Sequence, residues 1–141
     1  MNKFALSLRK ALSLLLSIVL LASLAGCGSQ PVVIKDSDTC IVIHVPEDAD
    51  EMLLIDYMNL LKENGELSFE VQSGMVSTIN GVENAADFSS CWMLYTSDAD
   101  FSNSAWGTVE YDGTEYGSAI VGAEVLTVKP GQLYIWAFMS F

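Results

Sequence analysis

Thr39-Cys40-Ile41-Val42-Ile43-His44-Val45-Pro46 is followed almost at once by Asp48-Ala49-Asp50-Glu51-Met52-Leu53-Leu54-Ile55-Asp56-Tyr57-Met58-Asn59-Leu60-Leu61-Lys62-Glu63-Asn64-Gly65, and the contrast between these two runs decides the fold class. The first is rich in β-branched residues and stops at a proline. The residue before a proline is driven extended, so this run reads as a strand reaching Val45. In the second, Leu53, Leu54, Tyr57, Met58, Leu60 and Leu61 recur at helical spacing up to Gly65, and Asp48 with Glu51 has the spacing of a capping box. It reads as the one clear helix of the chain.

Downstream of Gly65 the period changes from 3.6 to 2. Leu67, Phe69 and Val71 alternate with Ser68, Glu70 and Gln72, and Ser73-Gly74 turns the chain into Met75–Ile79, which predicts a hairpin. Asn80-Gly81, Asp112-Gly113 and Pro130-Gly131 are further turn dipeptides, Cys91–Thr96 reads as a strand, and Leu133–Phe138 closes the domain as another. One helix among many strands predicts an α+β domain in which the helix packs on one face of a mixed β-sheet.

Upstream, the composition changes sharply. Lys3, Arg9 and Lys10 precede the apolar run Ala11–Ala25, whereas all 18 acidic residues lie beyond Cys27. A basic head, a short apolar stretch and small residues form the layout of a cleaved secretory signal, and the run is short for a membrane-spanning helix. Leu24-Ala25-Gly26-Cys27 resembles the lipobox of bacterial lipoproteins, which implies lipidation of Cys27 and localisation at the cell membrane as a lipid-anchored, extracytoplasmic protein. The expected organisation is a signal peptide over 1–26, a lipidated cysteine and tether over 27–38, and a single domain over 39–141. Two or more acyl chains on Cys27 would anchor the protein firmly in membrane lipid.

Beyond the signal only Lys35, Lys62 and Lys129 face the 18 carboxylates, a net charge of about −15. Such a surface repels phosphate and supplies no cations to displace its counterions, which excludes nucleic acid as a partner. Cys40 and Cys91 form an even pair in an exported chain, where they either bridge or remain as two buried thiols. His44 is the only histidine, lies in a strand beside Pro46 and has no nucleophile motif around it, so the chain does not read as an enzyme. Asp98-Ala99-Asp100 begins like a calcium loop, but the sixth place is Asn103 and the twelfth Val109, so no metal site and no cofactor is expected. A solvated acidic loop is favoured over a looser cation site of Asp98, Asp100, Glu110, Asp112 and Glu115. Phe101, Trp106, Tyr111 and Tyr116 lie among Gly, Ser, Asn and Asp in a segment without clear periodicity. Flat aromatics on a loop suit planar ligands, which makes these four the candidate binding residues.

Three stretches carry a family resemblance: Met52–Met58, Val76-Ser77-Thr78-Ile79-Asn80-Gly81, and Cys91-Trp92-Met93-Leu94-Tyr95 with Val128-Lys129-Pro130-Gly131-Gln132-Leu133-Tyr134-Ile135-Trp136. In their order they resemble the DUF4430 family, the bacterial relatives of the transcobalamin C-terminal domain. Asp98-Ala99 and Gln132 depart from the family pattern at two turns. The resemblance implies a small β-grasp-like domain and an extracytoplasmic binding module for a flat small molecule such as a corrinoid. It implies one face of a clamp and hence weak binding. The alternative is a non-catalytic structural or adhesion module that binds another cell-surface protein.

Overall fold

The computed structural model describes residues 32–141; the expected signal 1–26, the lipidation site Cys27 and the first residues of the tether lie outside them. The domain is α+β, mostly sheet with one short helix. In chain order the elements are β1 (Val32–Ser37), β2 (Cys40–His44), β3 (Met52–Leu53), α1 (Leu54–Glu63), β4 (Phe69–Gln72), β5 (Met75–Ile79), β6 (Val82–Glu83), β7 (Ser90–Thr96), β8 (Ser102–Tyr111), β9 (Thr114–Ala119), β10 (Thr127–Val128) and β11 (Leu133–Ser140).

The main sheet has the order β1-β2-β11-β7-β9-β8, and a three-stranded sheet β4-β5-β6 and a two-stranded sheet β10-β3 flank it. Strand direction is more uniform than expected of a mixed sheet, because each ladder among the described residues is antiparallel. Side chains alternate across the main sheet as its two-residue period requires. Ile41, Ile43, Trp92, Leu94, Tyr134 and Trp136 join Leu54, Tyr57, Met58 and Leu61 of α1 in the larger core. Val42, Tyr95, Ile135 and Ala137 form a thinner cluster on the other face. A chain of this length ordinarily buries enough surface to fold by itself.

Register fixes the two ends of the sheet. Val32 and Leu133 both face His44, and Tyr134 faces Thr96, so these residues mark one end. Ser90 faces Ser140 at the other. The second half of the segment expected to be tether joins the sheet, since Val32–Ser37 pairs with β2.

The helix ends as its sequence predicts but begins differently. Gly65 takes φ +75°, its N–H reaches the Lys62 carbonyl at 3.1 Å, and Glu66 N–H reaches the Leu61 carbonyl at 2.9 Å. This is a Schellman termination, which needs a residue tolerant of the left-handed region. At the start, the N-cap is Leu53 with no side-chain cap, and the expected capping box of Asp48 and Glu51 falls outside the helix. Pairing of Met52 and Leu53 with Val128 and Thr127 keeps those residues extended. The first helical donors go instead to backbone carbonyls, Leu54 N–H to Leu126 at 2.8 Å and Ile55 N–H to Ala123 at 3.0 Å. Tertiary contacts thus satisfy the orphan groups that a cap residue would otherwise meet.

Ser73-Gly74, Asn80-Gly81 and Asp112-Gly113 each place two consecutive residues at positive φ, as two-residue hairpin turns matched to strand twist require. The third corrects the sequence reading of residues 100–117. Most of that segment is not a loop but the hairpin of β8 and β9.

Candidate functional site

The β7–β9 ladder covers two residue pairs, Tyr95 with Ser118 and Thr96 with Gly117. Beyond them the chains separate, and the gap opens a groove of about 400 Å³ on the helix side of the main sheet. Its floor includes Trp92, Leu94 and Trp136; its walls come from the β4–β5 turn, from Phe88 and from the segment Ser118–Glu124. The volume falls in the range typical of small-molecule sites. A more polar hollow of about 590 Å³ adjoins it, sharing Met75, Asn84 and Phe88.

The lining gathers part of the exposed apolar surface of the domain, while Leu53, Leu60, Val125 and Phe141 are exposed elsewhere. Val71, Met75, Phe88, Trp106 and Ile120 are all exposed large hydrophobic residues, and all five line this groove. Scattered exposed hydrophobics are ordinary, but a concentration in one concave place marks an interaction site.

Trp106 is held out by a bulge. In β8, Asn103 faces Ser118 and the next paired residue, Thr108, faces Gly117, so residues 104–107 have no partner across the ladder. The Asn103 side-chain oxygen accepts a hydrogen bond from Ala105 N–H at 3.0 Å, and Gly107 adopts φ +128°, which closes the bulge. Gly117 supplies the space. A Cβ there would collide with Ser102 Oγ and lie 2.9 Å from Ser104 N. The outcome is a tryptophan 63% exposed at the groove. Bulges of this kind re-aim a side chain at the cost of regular pairing.

The other three aromatics of the expected surface are elsewhere. Phe101 is half-buried against the larger core, with Lys129 Nζ 5.5 Å from its ring centre. Tyr111 and Tyr116 pack against the cluster on the opposite face, where Tyr111 meets the His44 ring edge-on at 6.3 Å. The bulge sets Trp106 apart from them, so the four residues do not form one surface.

The acidic residues are also divided. Lys129 Nζ lies 2.7 Å from Asp100 Oδ2 and 3.0 Å and 3.2 Å from the two oxygens of Asp98. Asp98 is buried, and the ammonium group is its charge partner. Hydrogen bonding by Lys129 holds the Asp100 carboxyl below its ordinary range and raises the affinity of the lysine for its proton. Asp112 sits in the turn of the hairpin and Glu115 bonds Thr108 Oγ1, so they belong to a separate place from the Lys129 cluster.

Cys40 and Cys91 are both free, which corrects the bridged reading. Strand β11 runs between β2 and β7, with Ala137 facing Cys40 and Met139 facing Cys91. Two strand spacings amount to roughly 10 Å, beyond the Cα separation that a disulfide can span.

Comparisons with family models, with curated proteins and with solved structures find no match for this chain.

Proposed function

We propose that this chain is a membrane-tethered, extracytoplasmic binding module that holds a flat small molecule, one ring face against apolar side chains, in the groove and carries out no catalysis. The supporting observation is the convergence of Val71, Met75, Phe88, Trp106 and Ile120 on one concave surface whose floor is already dry core. Flat side chains at the rim and a preformed apolar floor suit a rigid ring system. Corrinoids are the class implied by the transcobalamin-like resemblance, and that resemblance rather than strand order carries the finer β-grasp assignment. Attachment to membrane lipid through acylated Cys27 belongs to the same reading and rests on the lipobox.

The test is a thermal-shift and fluorescence titration of residues 28–141 with corrinoids and with planar aromatic compounds, since binding to the native state raises the melting temperature. Trp106→Ala is expected to abolish the ligand-induced change and to cost under about 1 kcal/mol of stability, as an exposed position should. Unaltered binding by Trp106→Ala would remove the groove from the reading. Binding of a surface protein, with no small molecule bound by the same domain, would favour the adhesion module instead.

A further inference from the structure

Among the described residues, the one charged side chain that lines the groove is Glu124. It is exposed, and its Oε2 lies 3.4 Å from where a Cβ on Gly74 would stand, so the carboxylate hangs beside the β4–β5 turn that forms part of the wall. The adjoining hollow has Glu83 as its charged lining residue. All three lysines of the described residues are held elsewhere. Lys35 pairs with Asp38, Lys62 Nζ donates to the Phe69 carbonyl at 3.0 Å, and Lys129 bridges Asp98 and Asp100. A cleft lined by one sign of charge concentrates the field of the whole molecule, and this domain sets 18 carboxylates against three lysines. The groove therefore attracts positive charge.

Its aromatic rim favours the same ligands. Trp106 and Phe88 line the groove at 63% and 54% exposure, and a cation over an aromatic face is drawn to the ring quadrupole, most strongly on tryptophan. Burial decides where the charge rests. Trp92, Leu94 and Trp136 make a dry floor on which a cation would lose its water with no partner in return, a cost that neither rim contact offsets. We propose that the groove selects flat ring systems that carry a permanent positive charge, with the charged part beside Glu124, Trp106 and Phe88 at the rim and the uncharged part on the apolar floor. This rests on the groove being the binding site. An anionic ring of the same shape meets the Glu124 carboxylate and the field of the domain together, and is rejected.

The experiment uses residues 28–141 and two flat probes of nearly the same shape, N-methylquinolinium and 1-methylnaphthalene, which differ in a ring N+ against a ring carbon. Affinities are read from the tryptophan indole N–H resonances by nitrogen-edited NMR, below the solubility limit of the hydrocarbon. The cation is expected to bind about three- to tenfold more tightly at 0.1 M salt, the combined worth of one exposed cation–π contact and one exposed ion pair. Raising the salt to 1 M shortens the screening length from about 10 Å to about 3 Å, so the ratio should fall towards one. Glu124→Gln, an exposed substitution, should lower the affinity for the cation and leave that for the hydrocarbon unchanged. Equal affinities at low salt, or a ratio that Glu124→Gln does not alter, would overturn the charge selection and leave the groove standing. Failure of both probes to bind would overturn the groove and the selection together.

Discussion

Gly117 and Ser104 approach so closely across the β8–β9 hairpin that a Cβ on the glycine would lie 2.9 Å from the Ser104 nitrogen. The backbone atom has no flexible side chain to yield, so Gly117→Ala must push the bulge outward. The expected cost is about 1–3 kcal/mol, typical of an overpacked site. Trp106 fluorescence should shift and groove binding should weaken together. Urea unfolding with the tryptophan signal as readout checks both, and an unchanged spectrum would show that the bulge is not held by this contact.

Trp92 provides the contrasting substitution. Its ring packs edge-on to Phe138 at 5.3 Å, its nitrogen bonds Val82, and it is almost wholly buried. Truncation to alanine is expected to cost about 3–5 kcal/mol, against the small cost foreseen for Trp106. Similar losses at both positions in denaturant melts would contradict the exposure of Trp106.

Tyr57 is a titration probe of the core. Burial, with the nearby Glu66 charge second, pushes its hydroxyl up to about 12 from 10.0, and that hydroxyl is buried with no hydrogen-bond partner among the described residues. A raised folded value means that the unfolded chain loses its proton first. The contribution is therefore complete below pH 10 and disappears as pH rises towards 12. Tyr57→Phe is expected to be close to neutral at pH 7 and to flatten part of the alkaline fall in stability; Tyr95 and Tyr134, also raised by burial, account for a further part. An alkaline limb identical in the variant would count against this assignment.

Lys129 governs the acid side. Its hydrogen bond lowers the Asp100 carboxyl, so that group stabilises the fold above its ordinary value of 3.8 and ceases to do so as pH falls through the lower folded value. Lys129→Met should destabilise the domain at neutral pH, because it leaves buried Asp98 without its cation, and should make melting temperature less dependent on pH below about 4. Thermal melts from pH 2 to 7 decide this.

Two membrane and thiol measurements complete the set. Cys27→Ala should carry no labelled palmitate, and residual labelling would refute the lipobox reading. The denatured, unreduced domain over residues 28–141 should titrate with two thiols, from Cys40 and Cys91; none would restore the disulfide.

Local chemistry made much of this fold legible. The three turns with consecutive positive φ, the Schellman glycine, the alternation in β4 and the existence of strands β7 and β11 all follow from short-range sequence. The helix start did not, because the residues that accept its first N–H groups, Ala123 and Leu126, lie some 70 positions away. The β8 strand was hidden for a different reason: residues 104–107 interrupt its period, and Ser102, Asn103, Ser104 and Gly107 imitate a loop. Trp106, which lines the groove, was singled out on composition alone. Val71, Phe88 and Ile120 were not, since only a gap between diverging strands brings such separated residues together.

The register of β1 has one more implication. The chain enters the sheet at Val32, opposite His44, whereas the groove is lined by the first half of β7, towards the end where Ser90 meets Ser140. From Cys27 to Val32 the backbone can stretch at most about 18 Å. With the lipid on Cys27, so short a leash would hold the Val32 end close to the headgroups and the Ser90–Ser140 end of the sheet away from them. Under the proposed binding function, a ligand would then arrive from the surrounding medium rather than by lateral diffusion in the bilayer.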